Sequence, residues 1–165
     1  MPGDKSITHR SFLFGAISSG VTEISGASAG DDCTSTRTCL ASLGVQFDFG
    51  HGDDPGSEQI RVHGTESFMA PTGPLDCGNS GTTFRLLMGL LAGSSVDVEL
   101  TGDESLSRRP MERVARPLRA MGAGIETTGG GPPVRVAGTR LSGASLRPEA
   151  ASAQIKSAIL LAALQ

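Results

Sequence analysis

The feature that most constrains this 165-residue chain is a pattern that comes round twice. Helical and extended periodicities follow one another as helix, strand, helix, strand, strand, and then in the same order again. In the first round KSITHRSFLFGAIS (5–18) predicts a helix and VTEIS (21–25) a strand. DDCTSTRTCLASLG (31–44) predicts a helix whose acidic first residues suit the positive end of its dipole, and VQFDF and QIRVHG predict two strands. In the second round residues 80–92 predict a helix, VDVELTG (96–102) a strand, RRPMERVARPLRAMG (108–122) a helix, and GIETT and PVRVAG strands. Landmarks recur with the pattern: LASLGV (40–45) and LRAMGA (118–123) each read as a helix end closed by glycine, Gly44 or Gly122, and running into a strand. A period this long predicts a duplicated unit in an α/β (α+β) fold rather than a solenoid.

ASAQIKSAILLAALQ (151–165) opens a third round with an almost wholly apolar helix that no Gly, Asn or Pro closes. At the other end Met1 is followed at once by the turn and helix start PGDKS. The chain therefore reads as a piece of a larger fold, one partial domain holding two units, about 1–73 and 74–143, and the start of a third, 144–165. Glycine contributes 23 of the 165 residues, about twice its roughly 7% average, which implies many tight turns and close backbone approaches.

A net charge of -3 argues against nucleic acid or an anionic membrane as partner. No stretch reaches the roughly 18 apolar residues of a membrane span, and MPGDKSITHR lacks the apolar core of a signal peptide. Cys33, Cys39 and Cys77 are odd in number and lack paired C-x-x-C spacing, so they read as reduced, partly buried residues of a cytoplasmic protein rather than as metal ligands.

Three predicted helix starts carry a small residue with a base four positions on: Ser6 with Arg10, Gly81 with Arg85, and Ser152 with Lys156. The first turn of a helix has unpaired N–H groups and about half a positive charge, and a Gly or Ser there lets an anion come close. A neighbouring cation such as Lys5 or Arg10 adds charge-assisted hydrogen bonds to phosphate or carboxylate. Taken singly, each start is an ordinary cap with a solvated base; the repetition is what points to a polyanionic ligand. In LTGDESLSRRPMERV (100–114), Pro110 suits a first helical turn and would fix Arg108 and Arg109 just outside it, facing a cleft. The competing reading is an exposed basic pair neutralised by Asp103 and Glu104. Neither G-x-x-x-x-G-K-[ST] nor G-x-G-x-x-G between strand and helix occurs, which argues against the familiar kinds of nucleotide binding.

PGDKSITHR, LDCGNSGTTFRLLMGLLAG, GDESLSRRPMERVARPLRAMGA and ASAQIKSAILLAAL, in this order, resemble the N-terminal half of the 5-enolpyruvylshikimate-3-phosphate synthase family, the 3-phosphoshikimate 1-carboxyvinyltransferases. The resemblance covers essentially the whole chain. It implies the enolpyruvyl transferase fold, in which each of two domains holds three βαβαββ units whose helix N-termini are directed at an interdomain cleft; the second domain is absent here. It also implies phosphoenolpyruvate and shikimate 3-phosphate as substrates, no cofactor or metal, and a monomer when full length. Two alternatives stay open: the sister family that acts on UDP-N-acetylglucosamine, which typically has Lys-Asn where this chain has Lys5-Ser6, and a non-catalytic anion-binding α/β module.

Carried over residue by residue, the resemblance gives Lys5 the catalytic role, in touch with both substrates. Ser6 and Arg10 match ligands of shikimate 3-phosphate. Gly81 matches the glycine beside phosphoenolpyruvate, with Asn79 and Thr82 around it, and Arg109 matches an arginine that binds phosphoenolpyruvate. Ser152, Ala153 and Gln154 match a stretch that binds shikimate 3-phosphate, Gln154 also facing phosphoenolpyruvate. Some family members have serine at position 153, so Ala153 offers backbone contact alone. The family's proton-moving acids lie outside these 165 residues, which are expected to be inactive by themselves.

Overall fold

A computed structural model of the chain describes residues 3–51, 58–147 and 152–164. Met1 and Pro2, and the two ends of the last predicted helix, Ala151 and Gln165, lie outside the described residues. The chain divides into two compact units, Met1–Met69 and Ala70–Gln165.

The first unit runs α1 (Lys5–Ile17), β1 (Val21–Ser25), α2 (Asp31–Ser42), β2 (Gln46–His51), β3 (Glu58–His63). Asp4 starts α1, its carboxylate accepting from the Ile7 N–H at 2.8 Å. Thr8, Phe12 and Ala16 fall on one face and are buried, with His9 and Leu13 beside them, the four-residue spacing of a helix laid on a sheet. Gly15 makes the approach close: a methyl there would stand 3.0 Å from Val62 Cβ on β3. The strands form an antiparallel sheet in the order β1-β3-β2, with Val62 between Thr22 and Phe47 and Ile60 between Ile24 and Phe49.

Lys5 Nζ bonds Asp32 Oδ2 at 2.7 Å, and His9 Nδ1 meets Thr36 Oγ1 at 2.7 Å. Each pair lies one helical turn beyond the other on both helices, so α1 and α2 run side by side in the same direction. His9 is fully buried and its Nε2 has no hydrogen-bond partner among the described residues. Burial, the largest cause, pushes its pKa below the ordinary value; Asp32 opposes this, and Lys5 and Arg10 add to it. The unfolded chain therefore takes up a proton near pH 6.5 that the folded chain resists, so this part of the stability is present above that pH and is lost as pH falls below it. A urea titration series from pH 7.5 to 5.5 is expected to show the midpoint falling, with a shallower fall in His9→Met; equal slopes would locate the acid sensitivity elsewhere.

The second unit runs β4 (Leu75–Asp76), α3 (Gly81–Ala92), β5 (Val98–Thr101), α4 (Glu104–Ser107), α5 (Glu112–Ala120), β6 (Gly124–Thr128), β7 (Gly131–Ala137), α6 (Ala153–Ala163). Its sheet has the order β4-β5-β7-β6, with β4 parallel to β5 and the other pairs antiparallel. Along β7 the inward Pro132, Val134 and Val136 alternate with the outward Pro133, Arg135 and Ala137. Leu75, Leu100 and Val134 make one buried row, and Val98, Val136 and Ile125 the next. Phe84, Leu86, Leu87, Met88, Leu90 and Leu91 of α3 are wholly buried; a helix apolar all round is a core helix, and each such side chain contributes about 1.5–3 kcal/mol. Its main helical neighbour is α6. Gly89 sets the distance, because a methyl there would overlap the Ala158 carbonyl and stand 2.6 Å from the Ala158 Cα.

The repetition seen in the sequence is present in the topology. The last three strands of each unit lie in the order first, third, second: β1-β3-β2 and β5-β7-β6. α2 and α5 end alike. The Gly44 N–H bonds the Ala41 carbonyl and the Val45 N–H that of Leu40; Gly122 and Ala123 do the same with Arg119 and Leu118. Both glycines have positive φ, 91° and 97°, as this closure requires.

One expected helix is broken. Residues 108–122 do not form a single helix begun at Pro110: α4 stops at Ser107, Arg108 caps it, and α5 begins at Glu112 with Met111 as its cap. Pro110 has no N–H to continue α4 and disfavours helical backbone at Arg109, while the Met111 N–H bonds the Gly130 carbonyl at 2.8 Å.

Candidate functional site

In the first unit the candidate residues sit on the opening turns of α1. Lys5 and Ser6 are exposed and Arg10 is partly so. Asp32, from the first turn of α2, holds the Lys5 ammonium, and the hydrogen bond followed by the charge attraction raises the Lys5 pKa above its usual value. Lys5 is thus kept as a cation and donor at neutral pH. Arg10 Nη1 donates to the Ser6 carbonyl at 2.9 Å, which keeps the guanidinium alongside that turn.

In the second unit the site is assembled around the start of α3. Gly78, at φ 55°, turns the chain after β4, and its N–H bonds Asp76 Oδ1 at 2.8 Å. Ser80 then caps α3 by accepting from the Thr83 N–H at 3.1 Å. Gly81 follows as the first helical residue. Two guanidinium groups stand over its bare Cα: a methyl there would come within 2.7 Å of Arg85 Nη1 and 3.1 Å of Arg109 Nη1.

Both arginines bond neutral oxygens. Arg85 donates to the carbonyls of Gly81 (3.3 Å) and Pro110 (3.4 Å) and to Gln154 Oε1 (2.9 Å), and Arg109 donates to Asn79 Oδ1 (2.7 Å). Burial, and then the like charges of Arg109 and Arg113, depress the Arg85 pKa. Like charges gathered at a helix N-terminus favour an incoming anion.

Arg108 and Arg109 part company. Arg108 pairs with Glu104 and stays exposed, the bland reading of the pair, whereas Arg109 turns to Asn79 and Gly81. Gln154 is gathered into the same cluster: its Nε2 donates to Thr82 Oγ1 at 2.9 Å while its Oε1 takes the bond from Arg85. Ser152 caps α6, accepting from the Ile155 N–H at 3.5 Å, and Ala153 is the exposed first helical residue. An open groove of about 870 Å³ lined by Pro71–Pro74 and by residues of β5, β6 and β7 includes none of these residues.

The three helix starts are not in structural register. Ser6 is the second helical residue, Gly81 the first, and Ser152 the cap. The spacing of a small residue and a base four positions on records one turn of helix, with Arg10 and Arg85 each bonding the carbonyl a turn before it. What sets the start is the side chain able to accept from the third N–H: Asp4, Ser80 or Ser152. The partners Asp32 and Asp103 were not singled out as site residues. For Asp32 the acidic opening of a helix is visible in the sequence, whereas α4, which Asp103 caps, is not; in both cases the residue faced, Lys5 or Asn79, is remote in sequence.

Gly81→Ala is expected to push both guanidinium groups back and to weaken the binding of a small anion beside them roughly fivefold to tenfold, about 1–1.4 kcal/mol. Titration of both proteins with inorganic phosphate checks this, and an unchanged affinity would mean that no anion is held at Gly81.

These features define an α/β protein with a repeated strand order, in which two arginines converge on the start of a core helix. A family model described as EPSP synthase (3-phosphoshikimate 1-carboxyvinyltransferase) matches residues 1–165. The chain belongs to the EPSP synthase family. It is 49% identical over 168 residues to the 3-phosphoshikimate 1-carboxyvinyltransferase of Methylococcus capsulatus, covering 99% of this chain and 37% of that protein. It is 48% identical over 164 residues to that of Acidithiobacillus ferrooxidans, with the same coverage. The solved EPSP synthase of Acinetobacter baumannii superposes with a TM-score of 0.88 at 47% identity, over 98% of this chain and 36% of that one. The α/β fold is the one these synthases have, and the chain spans 37% of the length of the curated relatives it matches. Among the described residues no helix is long and apolar enough to cross a membrane, and no three His, Cys, Asp or Glu are grouped to hold a metal ion.

Proposed function

We propose that this chain supplies the N-terminal part of an enzyme that moves the enolpyruvyl group of phosphoenolpyruvate to the 5-hydroxyl of shikimate 3-phosphate. The observation that carries the reading is the convergence of Arg85 and Arg109 on the bare Cα of Gly81, where Arg85 bonds Gln154 and Arg109 bonds Asn79 through neutral oxygens. That is a seat for a small carboxylate or phosphate. The names of the relatives favour this reaction over transfer to UDP-N-acetylglucosamine and over a module without turnover.

In this reading the 5-hydroxyl oxygen bonds to C2 of phosphoenolpyruvate as its proton is lost and C3 gains a proton. The tetrahedral adduct then loses a proton from C3 and expels phosphate, restoring the double bond. Arg109, Gly81 and Asn79 attend phosphoenolpyruvate. Ser6, Arg10, Ser152 and the backbone of Ala153 attend shikimate 3-phosphate, and Gln154 faces both. Lys5, held protonated by Asp32, donates to developing negative charge as a cation rather than acting as a base. Positioned cations and backbone donors suffice for such stabilisation, so the reading calls for no cofactor. Three buried cysteine thiols, Cys33, Cys39 and Cys77, support a cytoplasmic setting, and a monomer is the accompanying expectation for the full-length chain.

The test is phosphate release from phosphoenolpyruvate. The full-length chain is expected to release it only when shikimate 3-phosphate is present, and residues 1–165 alone are expected to release none. Release without that acceptor, or with UDP-N-acetylglucosamine in its place, overturns the reading.

A further inference from the structure

Asp103 caps α4, its Oδ1 accepting from the Leu106 N–H at 2.7 Å. Its other oxygen does something a cap does not need: Oδ2 accepts from Asn79 Nδ2 at 2.7 Å. Asn79 Oδ1 then accepts from Arg109 Nη2 at 2.7 Å. A carboxylate can only accept, and an amide has one donor end and one acceptor end. Asp103 therefore dictates which end of Asn79 faces it, and so leaves the acceptor end for the guanidinium. The Asn79 bond, and after it the Leu106 N–H, holds the Asp103 carboxyl below the usual carboxylate range, so at neutral pH it is an acceptor only.

We propose that Asp103 is a positioning residue which, by fixing the orientation of the Asn79 amide, aims the Arg109 guanidinium at Gly81. The inference rests on the reading of Gly81 and Arg109 as the phosphoenolpyruvate seat. A chain of three groups 2.7 Å apart, from carboxylate through amide to guanidinium, gives Arg109 a fixed direction although it lies in the irregular segment between α4 and α5.

The experiment separates this role from capping. Asp103→Asn keeps a cap of equal quality. Its oxygen is committed to the Leu106 N–H, so its NH2 faces Asn79, which must turn its own oxygen toward it. Arg109 then meets an NH2 and loses its acceptor. In the full-length chain the KM for phosphoenolpyruvate is expected to rise about tenfold or more, with the KM for shikimate 3-phosphate and the melting temperature unchanged. Combining Asp103→Asn with Asn79→Asp restores the polarity of the relay: the amide at 103 donates to the carboxylate at 79, which accepts from Arg109. Because that carboxylate also faces the anion and opposes its binding, the exchange is read on the guanidinium and not on the KM: the Arg109 Nε–H resonance is expected to shift in Asp103→Asn and to return in the exchange. A KM for phosphoenolpyruvate unaffected by Asp103→Asn, or a resonance indifferent to both changes, overturns the proposal. If the wild-type chain shows no turnover, the functional reading fails on its own account, and the resonance alone decides the relay.

Discussion

Gly89→Ala is expected to lower the melting temperature of the chain by on the order of 10 °C. In an isolated helix the same change would stabilise by about 1 kcal/mol, because alanine has the higher propensity. Here the new methyl meets the Ala158 backbone of α6, which cannot swing aside as a side-chain tip can. Forcing extra volume into such a contact costs about 1–3 kcal/mol, occasionally more, and the apolar seam between α3 and α6 opens along its length. With backbone atoms in the way the steric cost falls at the top of that range, about 3 kcal/mol, and the net loss is near 2 kcal/mol. Gly143→Ala, where an added methyl meets nothing within 4 Å, is the control and is expected to melt within about 0.5 kcal/mol of wild type. Calorimetry on both variants checks this; a Gly89→Ala protein as stable as the control would mean that the helices do not cross there.

Arg109→Ala is expected to weaken phosphoenolpyruvate binding by about 1.5–3 kcal/mol, the usual worth of a hydrogen bond to a charged group. That is a factor of roughly ten to a hundred. The loss has two parts: one guanidinium leaves the Gly81 seat, and Asn79 Oδ1 loses its donor. Arg109→Lys is expected to recover only part, since a point charge cannot both bond Asn79 and stand over Gly81 as a planar fork can. Titrating each substrate separately against the full-length variant is the measurement. Equal weakening of phosphoenolpyruvate and shikimate 3-phosphate would tell against the assignment.

Where local chemistry decides the structure, the chain could be read directly. The two glycine-closed helix ends are legible because a positive φ at that position all but demands glycine, and the strands because their alternation matches one buried face. The break at Pro110 was misjudged because proline suits both a helix start and a helix stop. Choosing between them depended on the Gly130 carbonyl, which captures the Met111 N–H from across the unit. β4 is two residues long, too short to show a period, and exists because Leu75 and Asp76 pair with β5.

The sequence offers the candidate residues and not the connections among them. Gly81, Arg109 and Gln154 can each be picked out from the sequence as candidates, but nothing in LDCGNSGTTFR tells that Arg85 reaches Gln154, 69 positions away. Nor could the rival fates of Arg108 and Arg109 be separated, since adjacent residues in irregular backbone point apart for reasons that lie in their partners. Glu104 sits one turn before Arg108 and takes it. Asn79 comes from another element and takes Arg109.

The burial of α3 from Leu86 to Ala92 bears on how the Gly81 seat behaves in time. Amides along the middle of that helix are expected to exchange with solvent only when the second unit unfolds as a whole, and to be among the slowest in the chain. Since Gly81 is the first residue of the same helix, the backbone donors that it offers to an incoming anion are anchored in the core, and need little reorganisation when charge arrives.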